Sequence, residues 1–418
     1  VAEMELGPRG KLKSTQFYPA VMKSHARLTY NKVKKLLDGD EELQQQYQHV
    51  MDNVQELERL YNALSAARKR RSAIEFDTQE TRFIFNAERK IESIEPVKRH
   101  VAHKIIEECM IMANVASAQL IESDKEIGAL FRVHETPADE RLNNFRSYLG
   151  ELGLNLEGGD EPSPRDYATL LEQVKDRQDH ELIETMLLRS MQQAVYQPEN
   201  KGHFGLALKS YAHFTSPIRR YPDLILHRAI KAILRKNEGE GKGLVGAWAY
   251  SEKQLDELGV HTSMTERRAD DATRQVDEWL KCEFMLDHIG MEFEGVISSV
   301  TNFGLFVRLS DYQIDGLIHI SNLDNDYYHF DQQKGMLVGE NSHSVFRLGD
   351  NVKVKVKDVN LDDRKIDLTL LEATSPGGKK RSMPAKGSGK GKRKGQPRGK
   401  GGQRKNTNRG GGKGRSKS

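Results

Sequence analysis

Tyr211–Ile230 reads YAHFTSPIRRYPDLILHRAI, a proline-containing turn that runs into a helical pattern. Pro217 and Pro222 each fix φ and remove a backbone donor, so regular structure is limited up to Asp223. Beyond it the apolar residues return to a helical spacing, from Leu224 to about Lys236. Arg219 and Arg220 stand at the proline-stiffened turn. Two planar guanidinium groups fixed there can grip phosphate oxygens bidentately, which lysine does less well. On general grounds, such a pair is more often solvated or salt-bridged.

On the N-terminal side, strand-like stretches pass into a long helical pattern over Glu41–Arg71, where Leu and Val recur three and four residues apart. Pro96 stands where a second long helix begins. The run VKRHVAHKIIEECMIMANVASAQLI to Ile121 is too apolar on one side for a solvated helix and is predicted to be buried. Helical patterns follow at 139–152 and 163–191, separated by the helix-breaking stretch Leu156–Pro164, and another covers 251–287. An α+β domain with a heavy helical share is expected over residues 1–288.

Around Gly290 the pattern switches to short alternating segments: FEGVISSV, LFVRLS, DGLIHIS, NVKVKVKDVN and KIDLTLL. Five strands in so short a span predict a five-stranded OB-fold barrel over 289–372. From Ala373 to Ser418 there are 16 Lys and Arg, 13 Gly and no Asp or Glu. Such a composition cannot offset the entropy of ordering, so 373–418 is expected to be a disordered basic tail. The net charge of +4 minus the tail's 16 leaves −12 on the body. The tail is suited to bind RNA or ribosomes by counterion release, and the alternative is a mere solubilising run.

At 418 residues the chain exceeds what one core supports. Cys109 and Cys282 lie far apart, with no spacing that suggests zinc, which fits a reducing compartment. No apolar run approaches the roughly 20 residues of a membrane span. A soluble cytoplasmic protein with no membrane contact is expected. The opening VAEMELGPRGKLK reads as a chain entered at a strand, so a fragment of a longer protein is expected.

The series T-S-P-I-R, an aromatic and P-D, complete between Thr215 and Asp223, resembles the signature of the ribonuclease II and R family of 3′-to-5′ exoribonucleases. EMELGPRGKLKSTQFYPAVMKSHARLTYNKV (Glu3–Val33) and HTSMTERRADDATRQVDEWLKCEFM (His261–Met285) are similar to the opening strands and the last helix of its ribonuclease R branch. GVISSVTNFGLFVRL followed by DGLIHISNL resembles the RNA-binding domain named for ribosomal protein S-one. The lysine-rich tail is likewise closer to the ribonuclease R branch.

The resemblance implies magnesium-dependent hydrolysis of RNA from its 3′ end to nucleoside 5′-monophosphates. Magnesium would be held by an acidic D-I-D-D-A string that this sequence lacks, so the ligands are expected upstream of Val1 and no metal residue is assigned in this chain. Asp270 and Asp271 imitate the string in the wrong place and read as a surface pair. The resemblance further implies that Arg219 holds the phosphate near the cleavage point and that Tyr30 contacts the terminal nucleotide. Phe83 is the candidate for stacking on bases, with a core strand residue as the equal alternative. Arg220 is a candidate for an RNA contact; Glu107, Glu108 and Glu266 are weaker candidates for ribose or nucleotide contacts that plain salt bridges explain nearly as well. On the barrel, Phe303, Phe306 and His319 match the RNA-facing positions, with one phenylalanine open to a core role, and Lys353 and Lys355 are candidate phosphate contacts.

The reading is therefore a processive exoribonuclease acting on RNA, including structured and 3′-tailed RNA, expected to be monomeric. This chain alone is expected to bind single-stranded RNA and hydrolyse it little. The alternative is a non-catalytic single-stranded RNA-binding protein.

Overall fold

The computed structural model describes residues 1–76, 81–177, 179–238, 245–323, 326–331, 335–374 and 380–382. Strands β1 (Ala2–Leu6) and β2 (Leu12–Phe17) form an antiparallel hairpin. At its turn Gly10 has φ +67°, and a Cβ there would lie 2.6 Å from the Ala63 carbonyl oxygen, so only glycine fits against the helix behind it. Helices α1 (Tyr30–Leu37) and α2 (Glu41–Gln46) are N-capped by Thr29 and Asp40, whose side chains accept from Lys32 N–H and Leu43 N–H. The expected single helix over Glu41–Arg71 is interrupted at Tyr47, whose φ −106° and ψ 21° leave helical geometry, and α3 (Gln48–Arg70) follows.

A second hairpin, β3 (Thr81–Phe85) with β4 (Ile91–Pro96), was not in the pattern beyond the strand alternative at Phe83. Pro96 closes that strand, so α4 (Val101–Ser123) begins five residues later than expected. It is buried as its apolarity demands: Ala116, Ala118 and Ile121 pack with Leu226, Ala229, Ile230 and Ile233 of α8 (Tyr221–Glu238). β5 (Phe131–Val133) pairs antiparallel with β6 (Val195–Gln197). Between them α5 (Asp139–Glu151), α6 (Pro164–Val174) and α7 (His180–Ser190) build a core of their own around Phe145, Tyr167, Leu170 and Leu187. The expected helix over 163–191 breaks where Arg177 folds onto Asp179, with two bonds of 2.8 Å.

Helix α9 (Glu252–Leu286) runs 35 residues, about 50 Å at 1.5 Å per residue. Its first half lies against β6. A Cβ on Gly259 would sit 2.6 Å from the Tyr196 carbonyl oxygen, and Ser263 Oγ accepts from Tyr196 N–H at 2.9 Å. Its last turns reach the barrel, where Lys281 donates to the Gln313 carbonyl at 3.1 Å.

The barrel is β7 (Glu292–Thr301), β8 (Gly304–Leu309), β9 (Ile314–His319), β13 (Asn351–Asn360) and β14 (Lys365–Thr374). The strands run in the order β13-β7-β8-β9-β14, and pairing of β13 with β14 closes the ring. Alternation puts Ile297, Leu305, Val307, Ile318, Val354 and Leu368 inside. A three-stranded sheet of β10 (Tyr328–Asp331), β11 (Met336–Gly339) and β12 (Val345–Arg347) interrupts the barrel sequence and had no counterpart in the strand pattern. Beyond residue 372, β14 continues to Thr374 and β15 (Lys380–Ser382) pairs back on it. The rest of the expected tail, 375–379 and 383–418, lies outside the described residues. No described helix is long and apolar enough to cross a membrane.

Candidate functional site

The arginine turn is shaped by Asp223, which is fully buried in the first turn of α8. One oxygen, Oδ1, accepts from Ser216 N–H at 2.7 Å and from Arg220 Nη2 at 2.8 Å. Arg219 N–H and Arg220 N–H both return to the Ser216 carbonyl. Pro222 is tolerated because the first turn of a helix has no acceptor for its missing N–H. The two arginines are thus separated in role. Arg220 is an internal clamp, 18% exposed, while Arg219 is exposed and has no side-chain partner among the described residues. Arg220 Nε, Asp223 Oδ2 and Thr215 Oγ1 are buried and lack partners among the described residues.

The segment leading in is fixed from two sides. Asn114 on α4 donates to the Tyr211 hydroxyl at 3.0 Å and accepts from Phe214 N–H at 2.9 Å. His227 on α8 stacks on Phe214 at 4.3 Å.

Glu266 enters this neighbourhood from α9. The close approach at Gly259 and Ser263 brings the next turn of the helix to Arg132 on β5, which donates to Glu266 Oε2 at 2.6 Å. The Arg132 guanidinium also lies 4.6 Å from the Tyr196 ring centroid. The Tyr196 hydroxyl lies 2.8 Å from His213 Nδ1 and 3.3 Å from Glu266 Oε1. Burial holds the Tyr196 phenol well above its usual range. Burial, reinforced by Arg220 and Arg132, pushes the His213 imidazole down to about 2, and burial beside His134 takes His203 to about 3. The imidazoles are therefore neutral, and the Tyr196 hydroxyl donates to Glu266 while bridging to His213 Nδ1.

The other expected residues are not gathered here by any hydrogen bond or ring contact among the described residues. Tyr30 is 47% exposed at the start of α1 and stacks on His103 of α4 at 4.1 Å. Phe83 is half-buried on β3, 6.5 Å from Phe85. Glu107 and Glu108 are held by Arg68 at 3.0 and 2.9 Å, the salt-bridge alternative. Asp270 and Asp271 are exposed on α9, and Asp271 pairs with Arg274.

Among the described residues no group of three or more His, Cys, Asp or Glu has the arrangement to hold a metal ion. The carboxylates Asp223 and Glu266 of this neighbourhood are each bound to an arginine, so this donor set does not fit the magnesium site that the family resemblance implies.

On the barrel, Phe303 is 45% exposed, and its ring meets that of half-buried Phe306 edge-on at 5.9 Å. His319 is exposed opposite Gly304 in the β8–β9 register. Phe306 lies between inward Leu305 and Val307 and faces outward with Leu317, so neither phenylalanine is a barrel-core residue. Lys353 is committed to Glu292 at 2.7 Å. Lys355 is exposed without a side-chain partner among the described residues, and Lys357, overlooked in the sequence, reaches Asn322 at 3.3 Å beside the His319 turn.

His213 and Asp223 lie within the opening stretch, Asp223 as part of its signature, but no role was expected of either. Arg132, Tyr196 and Asn114 carry no local signal; only the fold brings them in.

The family described as "RNB domain" matches residues 1–236, and that described as "S1 RNA binding domain" matches residues 286–371. The chain is 60% identical over 377 residues to "Ribonuclease R" of Vibrio cholerae, covering 90% of this chain and 46% of the relative. It is 57% identical over 375 residues to "Ribonuclease R" of Escherichia coli, covering 89% and 46%. The chain thus spans about half the length of the curated relatives it matches. Among solved structures, Mycoplasma genitalium RNase R in complex with ribose methylated single-stranded RNA matches with a TM-score of 0.80 and 27% identity, covering 88% of this chain and 57% of that one.

Proposed function

The chain belongs to the RNB-domain family, and from that premise we propose that the whole protein is a 3′-to-5′ hydrolytic exoribonuclease, in which this chain supplies the phosphate grip and a terminal RNA-binding barrel. The observation that carries the reading is the turn in which buried Asp223 takes Arg220 and leaves Arg219 free and exposed. In the proposed reaction water adds to the phosphorus of the terminal linkage, the bond to O3′ breaks, and a nucleoside 5′-monophosphate leaves. A guanidinium held at that phosphate strengthens its hold as charge builds on the oxygens, so it lowers the barrier more than it tightens binding. Arg132 and Tyr196 orient Glu266 beside this turn, where its carboxylate is available to a ribose hydroxyl. Phe303, Phe306, His319 and Lys355 offer ring faces and a cation to the incoming strand, a combination that is indifferent to sequence. Tyr30 and Phe83 belong to the proposal as contacts to the 3′-terminal nucleotides. Magnesium, the ribosome contact of the basic tail, a monomeric state and a cytoplasmic setting complete it.

The test is hydrolysis of a 3′-tailed RNA duplex with magnesium by the whole protein, with and without Arg219→Ala. Release of monophosphates, slowed about 100-fold or more by the substitution while RNA is still bound, supports the reading. RNA binding by the whole protein without any release of monophosphates makes it a binding protein instead.

A further inference from the structure

On the far side of the arginine turn, the start of α8, residues 246–250 and the first half of α9 enclose a cleft of about 740 Å³, lined by Tyr221, Arg228, Trp248, Tyr250, Glu257 and His261. This volume lies within the range of about 300–1,000 Å³ that small-ligand sites occupy. Two of its rings are open to solvent, Trp248 at 57% and Tyr221 at 44% exposure. The third, Tyr250, is anchored in the core formed by Leu130, Tyr196, Ile225 and Leu255, and the Trp248 ring lies 6.4 Å from it. Large rings left this exposed in one cleft mark a surface that something covers.

The charge in the cleft says what kind of ligand. Arg228 Nη1 donates to the Tyr250 hydroxyl at 2.9 Å, and the guanidinium lies 6.0 Å from the Tyr221 ring centroid. No carboxylate pairs with Arg228 among the described residues. The cation is therefore fixed between two phenols with its charge unmatched. Lys231, bonded to the Val245 carbonyl at 3.0 Å, adds a second positive charge at the rim. Glu257, the acid in the lining, is 4.0 Å from Lys253. Ring faces beside an uncompensated guanidinium suit a base together with its phosphate. A neutral apolar peptide would leave the cation unused.

We infer that this cleft is a separate subsite for unpaired RNA, in which a base stacks on the exposed faces of Trp248 and Tyr221 while Arg228 holds the adjoining phosphate. Tyr221 directly follows Arg220, and Arg228 lies about 10 Å further along α8. One strand can therefore touch both the cleft and the arginine turn. The inference rests on the RNA-binding part of the proposed function.

The chain's two tryptophans, Trp248 and Trp279, make the test direct. In the Trp279→Phe variant only Trp248 emits. This variant is titrated with oligouridylate while fluorescein anisotropy of the same RNA reports total binding. Stacking predicts that Trp248 emission is quenched with the midpoint of the anisotropy curve, and that Trp248→Ala weakens binding about 5- to 100-fold. Arg228→Gln is expected to lower the salt dependence by about one counterion. RNA binding with unchanged Trp248 emission and undiminished affinity in Trp248→Ala overturns this inference alone; absence of any RNA binding overturns the proposed function with it. Equal quenching by polyphosphate, which has no bases, also overturns the stacking.

Discussion

Asp223 and Arg220 are joined at 2.8 Å through a carboxylate with no solvent exposure, in the first turn of α8, and the same oxygen holds Ser216 N–H. The pair is thus an element of the fold. Arg220→Ala strands a buried negative charge, and Asp223→Ala strands the arginine and the turn's N–H. Each is expected to cost about 3–5 kcal/mol of stability. Chemical denaturation checks this, and a loss below about 1 kcal/mol for both would mean that the clamp is not formed.

Arg219→Ala should behave oppositely. The side chain is exposed and unpaired among the described residues, so stability is expected to stay within about 0.5 kcal/mol of the parent. Turnover of RNA by the whole protein is expected to fall steeply, with the effect in kcat rather than in KM. Steady-state kinetics beside a melting curve separates the two arginines, and parallel losses in both measurements would refute the division of roles.

What the sequence disclosed divides along the same line. The barrel was readable because its strands alternate and its turns carry glycine or polar residues, as at Gly304, where a Cβ would fall 2.2 Å from the Ile318 carbonyl oxygen. Burial of α4 was readable from its composition. The role of Arg220 was not: telling a clamp from a phosphate ligand requires knowing that Asp223, three residues on, points inward. The ion pair of Lys353 was not readable for the same reason, because Glu292 reaches it diagonally across the β13–β7 register, in which Lys353 stands opposite Glu294 and Lys355 opposite Glu292, a pairing that no local pattern shows. The Arg132–Glu266 contact joins residues 134 apart in the chain, and it depends on Gly259 admitting the backbone of β6.

Acid should unfold the protein through its buried imidazoles. His203 and His213 are held down to about 3 and about 2 by burial, against about 6.5 in the unfolded chain. The unfolded state therefore takes up protons that the folded state refuses. The stability associated with these two groups is complete above about pH 6.5 and is lost as pH falls below it. Between pH 7 and pH 5 each contributes a loss of about 2 kcal/mol, roughly 4 kcal/mol together. Urea midpoints at the two pH values read the loss, and His213→Gln is expected to reduce it by about 2 kcal/mol. A midpoint that does not move between pH 7 and pH 5 would contradict the buried, neutral state of both rings.

The barrel surface predicts unequal effects for two neighbouring lysines. Lys353 is spent on Glu292 at 2.7 Å, so Lys353→Ala should alter RNA affinity little. Lys355, exposed and standing opposite Glu292 without a salt bridge among the described residues, can turn to a phosphate, and Lys355→Ala should reduce the slope of log affinity against log salt by about one. Phe303→Ala removes a ring face instead of a charge, so it should cost about 1–3 kcal/mol of binding at every salt concentration and leave the slope unchanged. Anisotropy titrations of single-stranded RNA at several salt concentrations distinguish the three. If Phe303→Ala binds like the parent while Lys355→Ala flattens the slope, the barrel holds RNA by charge alone and its exposed rings serve another purpose.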